Sequence, residues 1–135
     1  MDIIKFKLIE LEQLMDTLNS LKVDSLENYL ADLKAQATYE HYFERILEAI
    51  TKIVFTVVKI KKLRLPDDDK HSFELLAEHK ILTNILAKRL IDAKGMRNII
   101  AHEYGKVDHE KVFEAVNNEL EDDVNEFINQ IKLHL

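Results

Sequence analysis

A chain with two glycines and one proline among 135 residues has few places to reverse direction, because those residue types supply most tight turns and most breaks in regular structure. No stretch alternates apolar and polar residues between turn signals, so helices must dominate. Apolar residues recur at the spacing that helices require. A first helix is expected from about Ile3 to Leu21, with Ile4, Leu8, Leu11, Leu14 or Met15, and Leu18 on one face. Asp24 with Glu27 resembles a capping box and would open a short helix carrying Leu26, Tyr29, Leu30 and Leu33.

A long helix is expected from about Thr38 to Leu63. Its segment IVFTVV is apolar nearly all round, which marks it as the central and most buried element, with Phe55, Val57 and Val58 in the core. Pro66 would stop it. PDDDKHS reads as the one loop of any length, and FELLAEHKIL as a short helix after it. A further helix carries Ile85, Leu86, Leu90, Ala93, Arg97 and Ile100 and ends near Gly105. Asp108 would cap a last helix with the stripe Val112, Val116, Leu120, Val124, Phe127, Ile131 and Leu135. With no internal repeat and no low-complexity linker, residues 1–135 read as one domain, an all-α, up-and-down bundle of about four long helices plus short ones.

That length is enough for a self-standing hydrophobic core. The absence of cysteine excludes disulfides, thiolate metal sites and thiol nucleophiles, and it suits a reducing cytoplasm. The first residues mix charge through their apolar positions, unlike a secretory leader, and no run approaches the ~20 apolar residues of a membrane span. A formal charge of −6 means that a nucleic-acid partner must meet a local basic surface and not the field of the whole molecule.

Near the end of the penultimate long helix stands RNIIAHEY, Arg97 to Tyr104. Helical geometry puts Asn98 and His102 on one face and Arg97 and Tyr104 on the adjoining one. A guanidinium grips a phosphate with two prongs and steadies a pentavalent transition state with a charge that cannot be titrated away. An imidazole can take a proton from a ribose 2′-hydroxyl or give one to a leaving oxygen near neutral pH. Asn98 could fix the tautomer of His102, and Tyr104 could bond a phosphate or stack on a base. Such a design needs no metal or cofactor, since the 2′-hydroxyl of RNA is an internal nucleophile that yields a 2′,3′-cyclic phosphate. The bland alternative is an arginine that only pairs with an acid one turn away. The positions three and four residues from Arg97 are Ala93, Lys94, Ile100 and Ala101, so any such partner must come from another helix.

Other features are weaker. Lys59, Lys61, Lys62 and Arg64 could hold an RNA backbone or merely complement a helix end. Lys94 and Arg97, nearly one turn apart, could share a phosphate-binding face, with Lys94 as an RNA contact. His102 and Glu103 begin like a zinc-protease helix, but Lys106 occupies the position of its second histidine. Asp67, Asp68 and Asp69 read as turn and helix-cap chemistry. The acids between Glu103 and Glu126 read as a solvated face. Gly95, unfavourable inside a helix, suggests close approach by another helix.

RNIIAHEY followed by GKVD resembles the signature of the HepT group of HEPN-domain proteins, the toxin half of prokaryotic toxin-antitoxin pairs. The stretch LRLPDDDKHSFELLAEHKILTNILAKRLIDAKGMRN is similar to that family's lead-in to the motif, and the likeness runs from roughly Tyr39 to Val112. The resemblance implies a homodimeric helical ribonuclease that cuts RNA without metal, with Arg97 and His102 catalytic and Asn98 supporting. It further implies that a minimal nucleotidyltransferase antitoxin modifies Tyr104 with AMP, adding negative charge and bulk that would repel RNA. Related HEPN-like domains act instead as non-catalytic nucleotide- or substrate-binding companions of nucleotidyltransferases, which is the alternative reading.

Overall fold

The computed structural model describes residues 2–135, and of Tyr104 its backbone alone. Its helices are α1 (Asp2–Ser20), α2 (Leu26–Leu30), α3 (Leu33–Ile60), α4 (Asp69–Glu78), α5 (Asn84–His102), α6 (His109–Asn118) and α7 (Leu120–Lys132), with a 3-10 turn at Tyr104–Lys106. Contacts of α1 with α3, α3 with α5, α5 with α7, and α7 with α1 close a ring of four rods, the fourth being α6 and α7 together. The short helices fill its flanks, α2 against α3 and α6, and α4 against α3 and α5.

Aspartates set where several of these helices begin. Asp32 accepts from the backbone N–H groups of Lys34 at 3.0 Å and Ala35 at 3.2 Å, so α3 starts at Leu33, several residues ahead of the expected Thr38. Asp68 does the same for His71 at 2.9 Å, which turns the second half of the expected PDDDKHS loop into the first turn of α4. Ser25, not Asp24, caps α2 by accepting from Asn28. At its far end α3 stops before Pro66 is reached: Lys62 takes a left-handed φ of 56°, and the Leu63 N–H donates back to the Val58 carbonyl at 3.0 Å.

The expected last helix is two helices that meet at Glu119, whose ψ of −43° is helical but whose φ is −128°. Its apolar stripe explains the bend. Val112, Val116, Leu120 and Val124 are four apart, and each such step overshoots a full turn by about 40°, so on a straight rod the stripe would wind away from the core. The kink keeps all four buried, together with Phe127 and Ile131.

α3 lies at the centre and buries Tyr39, Phe43, Ile46, Leu47, Ile50, Ile53, Val54, Val57 and Val58. Phe55, expected in the core, is instead on the outer face, where the Lys59 ammonium lies 5.1 Å from its ring centroid. A helix of this length in the middle of a one-layer ring still has one side toward water. Near the α2 end, the Tyr39 and Tyr29 rings pack at a 41° tilt with centroids 4.6 Å apart. The Tyr39 hydroxyl donates to Asn117 Oδ1 at 2.7 Å and accepts from the Val23 N–H at 3.0 Å, while Asn117 Nδ2 donates to the Val23 carbonyl at 3.0 Å. This closed circuit ties the α1–α2 connection to α3 and α6. The Tyr29 hydroxyl is equally buried but has no partner among the described residues, and burial pushes its pKa well above the ordinary value.

The two tyrosines therefore respond differently to loss of the hydroxyl. Tyr39→Phe orphans the Val23 N–H and should cost about 1–2 kcal/mol in urea denaturation. Tyr29→Phe removes an unsatisfied group and should leave stability unchanged or raise it. Equal losses in both variants would contradict the circuit.

Candidate functional site

Thr83 starts α5 by accepting from the Leu86 N–H at 3.2 Å, and the helix then runs without a break to His102. The Glu103 N–H still reaches the Ile99 carbonyl at 2.8 Å, after which the chain tightens into the 3-10 turn and Asp108 caps α6 by accepting from Lys111. The motif thus occupies the last turns of a helix anchored at its start and handed directly to the next. Arg97, Asn98 and His102 are presented by rigid backbone.

The Arg97 side chain is only 16% exposed and points toward α3. Its Nη2 donates to Glu48 Oε1 at 2.5 Å, and its Nη1 donates to Asn98 Oδ1 at 3.3 Å. Glu48 is the acid from another helix that the sequence of α5 requires. It had a legible signal: Glu40, Glu44 and Glu48 are four apart and form an acidic line along α3. Asn98 was expected to orient His102. In this structure it supports the guanidinium, and no hydrogen bond joins it to His102 among the described residues. His102 itself is exposed at the end of α5.

Lys94 takes another direction. Its ammonium lies 3.3 Å from Asp69 Oδ2 on α4, and its side chain is 12% exposed. Lys94 and Arg97, expected to share a phosphate-binding face, are each paired with a different neighbour here. Three residues advance a helix by about 300°, so the two side chains leave α5 about 60° apart, one reaching Asp69 on α4 and the other Glu48 on α3. At Gly95 a Cβ would meet nothing within 4 Å. No helix of this chain uses the space, and Gly95 faces outward. The side chain of Tyr104 lies outside the described residues.

Two hollows flank the motif. One, of about 340 Å³, is bounded by Asp69, Lys70, Phe73, Ile91, Lys94 and Asn98. The other, of about 480 Å³, lies between α3 and the start of α6 and is bounded by Gln36, Glu40, His41, Glu44, Ile100 and His109. Burial pushes the Glu40 carboxyl above the usual range and Glu44 adds to this, while His109 opposes it. The hollows reach the motif at Asn98 and Ile100, while the Arg97 guanidinium is tethered and largely covered and the His102 imidazole is exposed. That set fits an anionic, proton-exchanging substrate.

Residues 8–131 match the family model described as ribonuclease HepT-like. A tRNA nuclease HepT of Aphanizomenon flos-aquae is 29% identical over 114 residues, which are 84% of this chain and 78% of that protein. An mRNA nuclease HepT of Shewanella oneidensis is 33% identical over 89 residues, 66% of each chain. A solved structure of a tri-AMPylated Shewanella oneidensis HEPN toxin in complex with an MNT antitoxin superposes with a TM-score of 0.90 at 27% identity, covering 98% of both chains.

The raised carboxyl gives a signed expectation. Because Glu40 holds its proton more tightly folded than unfolded, its ionisation costs stability at neutral pH. Glu40→Gln should be the more stable protein at pH 7, and the gap should close as pH falls through the raised folded value and vanish below the ordinary carboxylate range. Thermal melts across that range that keep a constant gap would contradict it.

Proposed function

This chain belongs to the ribonuclease HepT-like family, and from that premise we propose that it is an endoribonuclease acting as the toxin of a toxin-antitoxin pair. The observation that carries the reading is a guanidinium tethered at Arg97 with an exposed imidazole at His102 on the same rigid helix end. The nuclease relatives and the toxin complex support it.

The substrate is RNA, and the reaction needs no metal. A base removes the proton of the ribose 2′-hydroxyl, the 2′-oxygen bonds to phosphorus, and the bond from phosphorus to the 5′-oxygen breaks as an acid protonates it. A 2′,3′-cyclic phosphate and a 5′-hydroxyl result. Arg97 binds the phosphate and offsets the charge that grows on its oxygens. His102 is the general acid or base, and Asn98 supports the guanidinium. Two copies of the chain supply two His102 rings to one cleft, so that one takes a proton and the other gives it. The outward Gly95, with Ile99 37% exposed one turn further on, leaves α5 a face that a second copy can approach closely. Lys94, committed to Asp69, contributes positive field near the cleft more than a direct contact.

Regulation follows from position. Tyr104 stands two residues beyond His102, in the turn that leaves α5. Its modification with AMP by a minimal nucleotidyltransferase antitoxin adds negative charge and bulk to the motif, which repel RNA. The pair works in the cytoplasm, where its substrate is.

Purified protein should cut RNA in excess chelator and leave cyclic phosphate ends, and His102→Ala should lower the rate by about 10²-fold to 10⁴-fold. Cleavage that stops on chelation, or that survives the histidine substitution, contradicts the mechanism. Intact RNA under every condition, with tight binding to a nucleotidyltransferase, supports a non-catalytic companion instead.

A further inference from the structure

We infer that Glu48 is a positioning residue for the reaction: from the neighbouring helix it holds the Arg97 guanidinium in an orientation that leaves donors open to the RNA phosphate. The inference rests on the nuclease reading above and adds a residue that lies outside the motif.

The Arg97 side chain is largely covered, and its charge cannot be shed. A cation in that state needs a counter-charge within reach. The neighbouring turns of α5 supply none, since Ala93, Lys94, Ile100 and Ala101 occupy them. Along the acidic line of α3, Glu40 and Glu44 border the hollow that Ile100 and His109 share. Glu48 is the member of that line that meets the guanidinium.

The two anchors act on different nitrogens, Glu48 on Nη2 and Asn98 on Nη1. A guanidinium is a rigid plane with five N–H donors, so two anchors on two nitrogens fix the plane and leave three donors over. One of the three, Nε–H, is buried without an acceptor among the described residues, so the donors left for a phosphate are the second N–H groups of Nη1 and Nη2. An arginine held this way meets the phosphate already oriented, and the saving appears in the chemical step. The Glu48 side chain is 44% exposed, so water screens much of its charge. Its contribution is therefore chiefly geometric, and a neutral acceptor of the same shape should replace it.

Glu48→Ala should lower kcat for RNA cleavage by about tenfold to a hundredfold, with KM moved by less than about threefold. Glu48→Gln keeps an oxygen in reach of Nη2 and should restore most of that loss. Both variants are assayed at a temperature where circular dichroism shows them folded. Wild-type or higher kcat in Glu48→Ala overturns the inference, as does a glutamine variant no better than the alanine one. A second measurement is independent of activity: proton–nitrogen NMR of the Arg97 side chain should show restricted guanidinium rotation in the wild type and in Glu48→Gln, and free rotation in Glu48→Ala. Free rotation in the wild type overturns the positioning role whatever the activity. A wild type that cuts no RNA while its Arg97 stays restrained overturns the nuclease reading alone.

Discussion

Burial of α3 among α1, α2, α4, α5 and α6 fixes where those helices must lie, and α7 packs on α1, α5 and α6 in turn. Fully burying one large aliphatic or aromatic side chain is worth about 1.5–3 kcal/mol, and α3 contributes nine such residues between Tyr39 and Val58. The neighbours are held by that surface, and the loops are too poor in glycine and proline to redirect them. α5 inherits its place in this way. Its motif end is carried by a helix that packs into the core through Leu86, Ala87, Leu90 and Ile100, which suits chemistry that is sensitive to small displacements.

The same helix that buries the core also reaches the motif. α3 presents its apolar side to the ring and, through Glu48, one acidic group to Arg97. Lys94 is drawn to α4 by Asp69. Lys94 and Arg97, two of the cations of α5, are thus divided between two neighbours, each with its own counter-charge. A single concentrated basic surface does not form there, in keeping with a chain of net charge −6. Affinity for a polyanion would then come from few well-placed donors, and less from long-range attraction.

Much of this was legible before any coordinates. Periodicity located α1, α3 and α5 and most of the core stripe, because burial follows spacing whenever one side of a helix faces the bundle. Asp108 was readable as a cap because an apolar stripe begins just after it. Asp67, Asp68 and Asp69 read together as turn and helix-cap chemistry, and the bonded His71 N–H picks out Asp68; Asp32 was harder, and only its bonded N–H groups reveal the helix start. Phe55 misled because an apolar run does not say which member faces out. For the motif, residue types and order suggested the chemistry, whereas the partners of Lys94, Arg97 and Asn98 depend on which helices flank α5. That is long-range information, which local spacing does not contain. The line of acids on α3 was the available clue.

The central claim is that one scissile phosphate lies within reach of both Arg97 and His102. A crystal structure of the protein bound to RNA whose 2′-hydroxyls carry methyl groups, and which therefore resists cleavage, tests it most directly. The expected result is a phosphate oxygen at hydrogen-bonding distance, about 2.6–3.2 Å, from the Arg97 guanidinium, with a His102 ring nitrogen equally close to the methylated 2′-oxygen or the 5′-oxygen. RNA bound elsewhere on the surface, or a phosphate that meets only one of the two side chains, would contradict it.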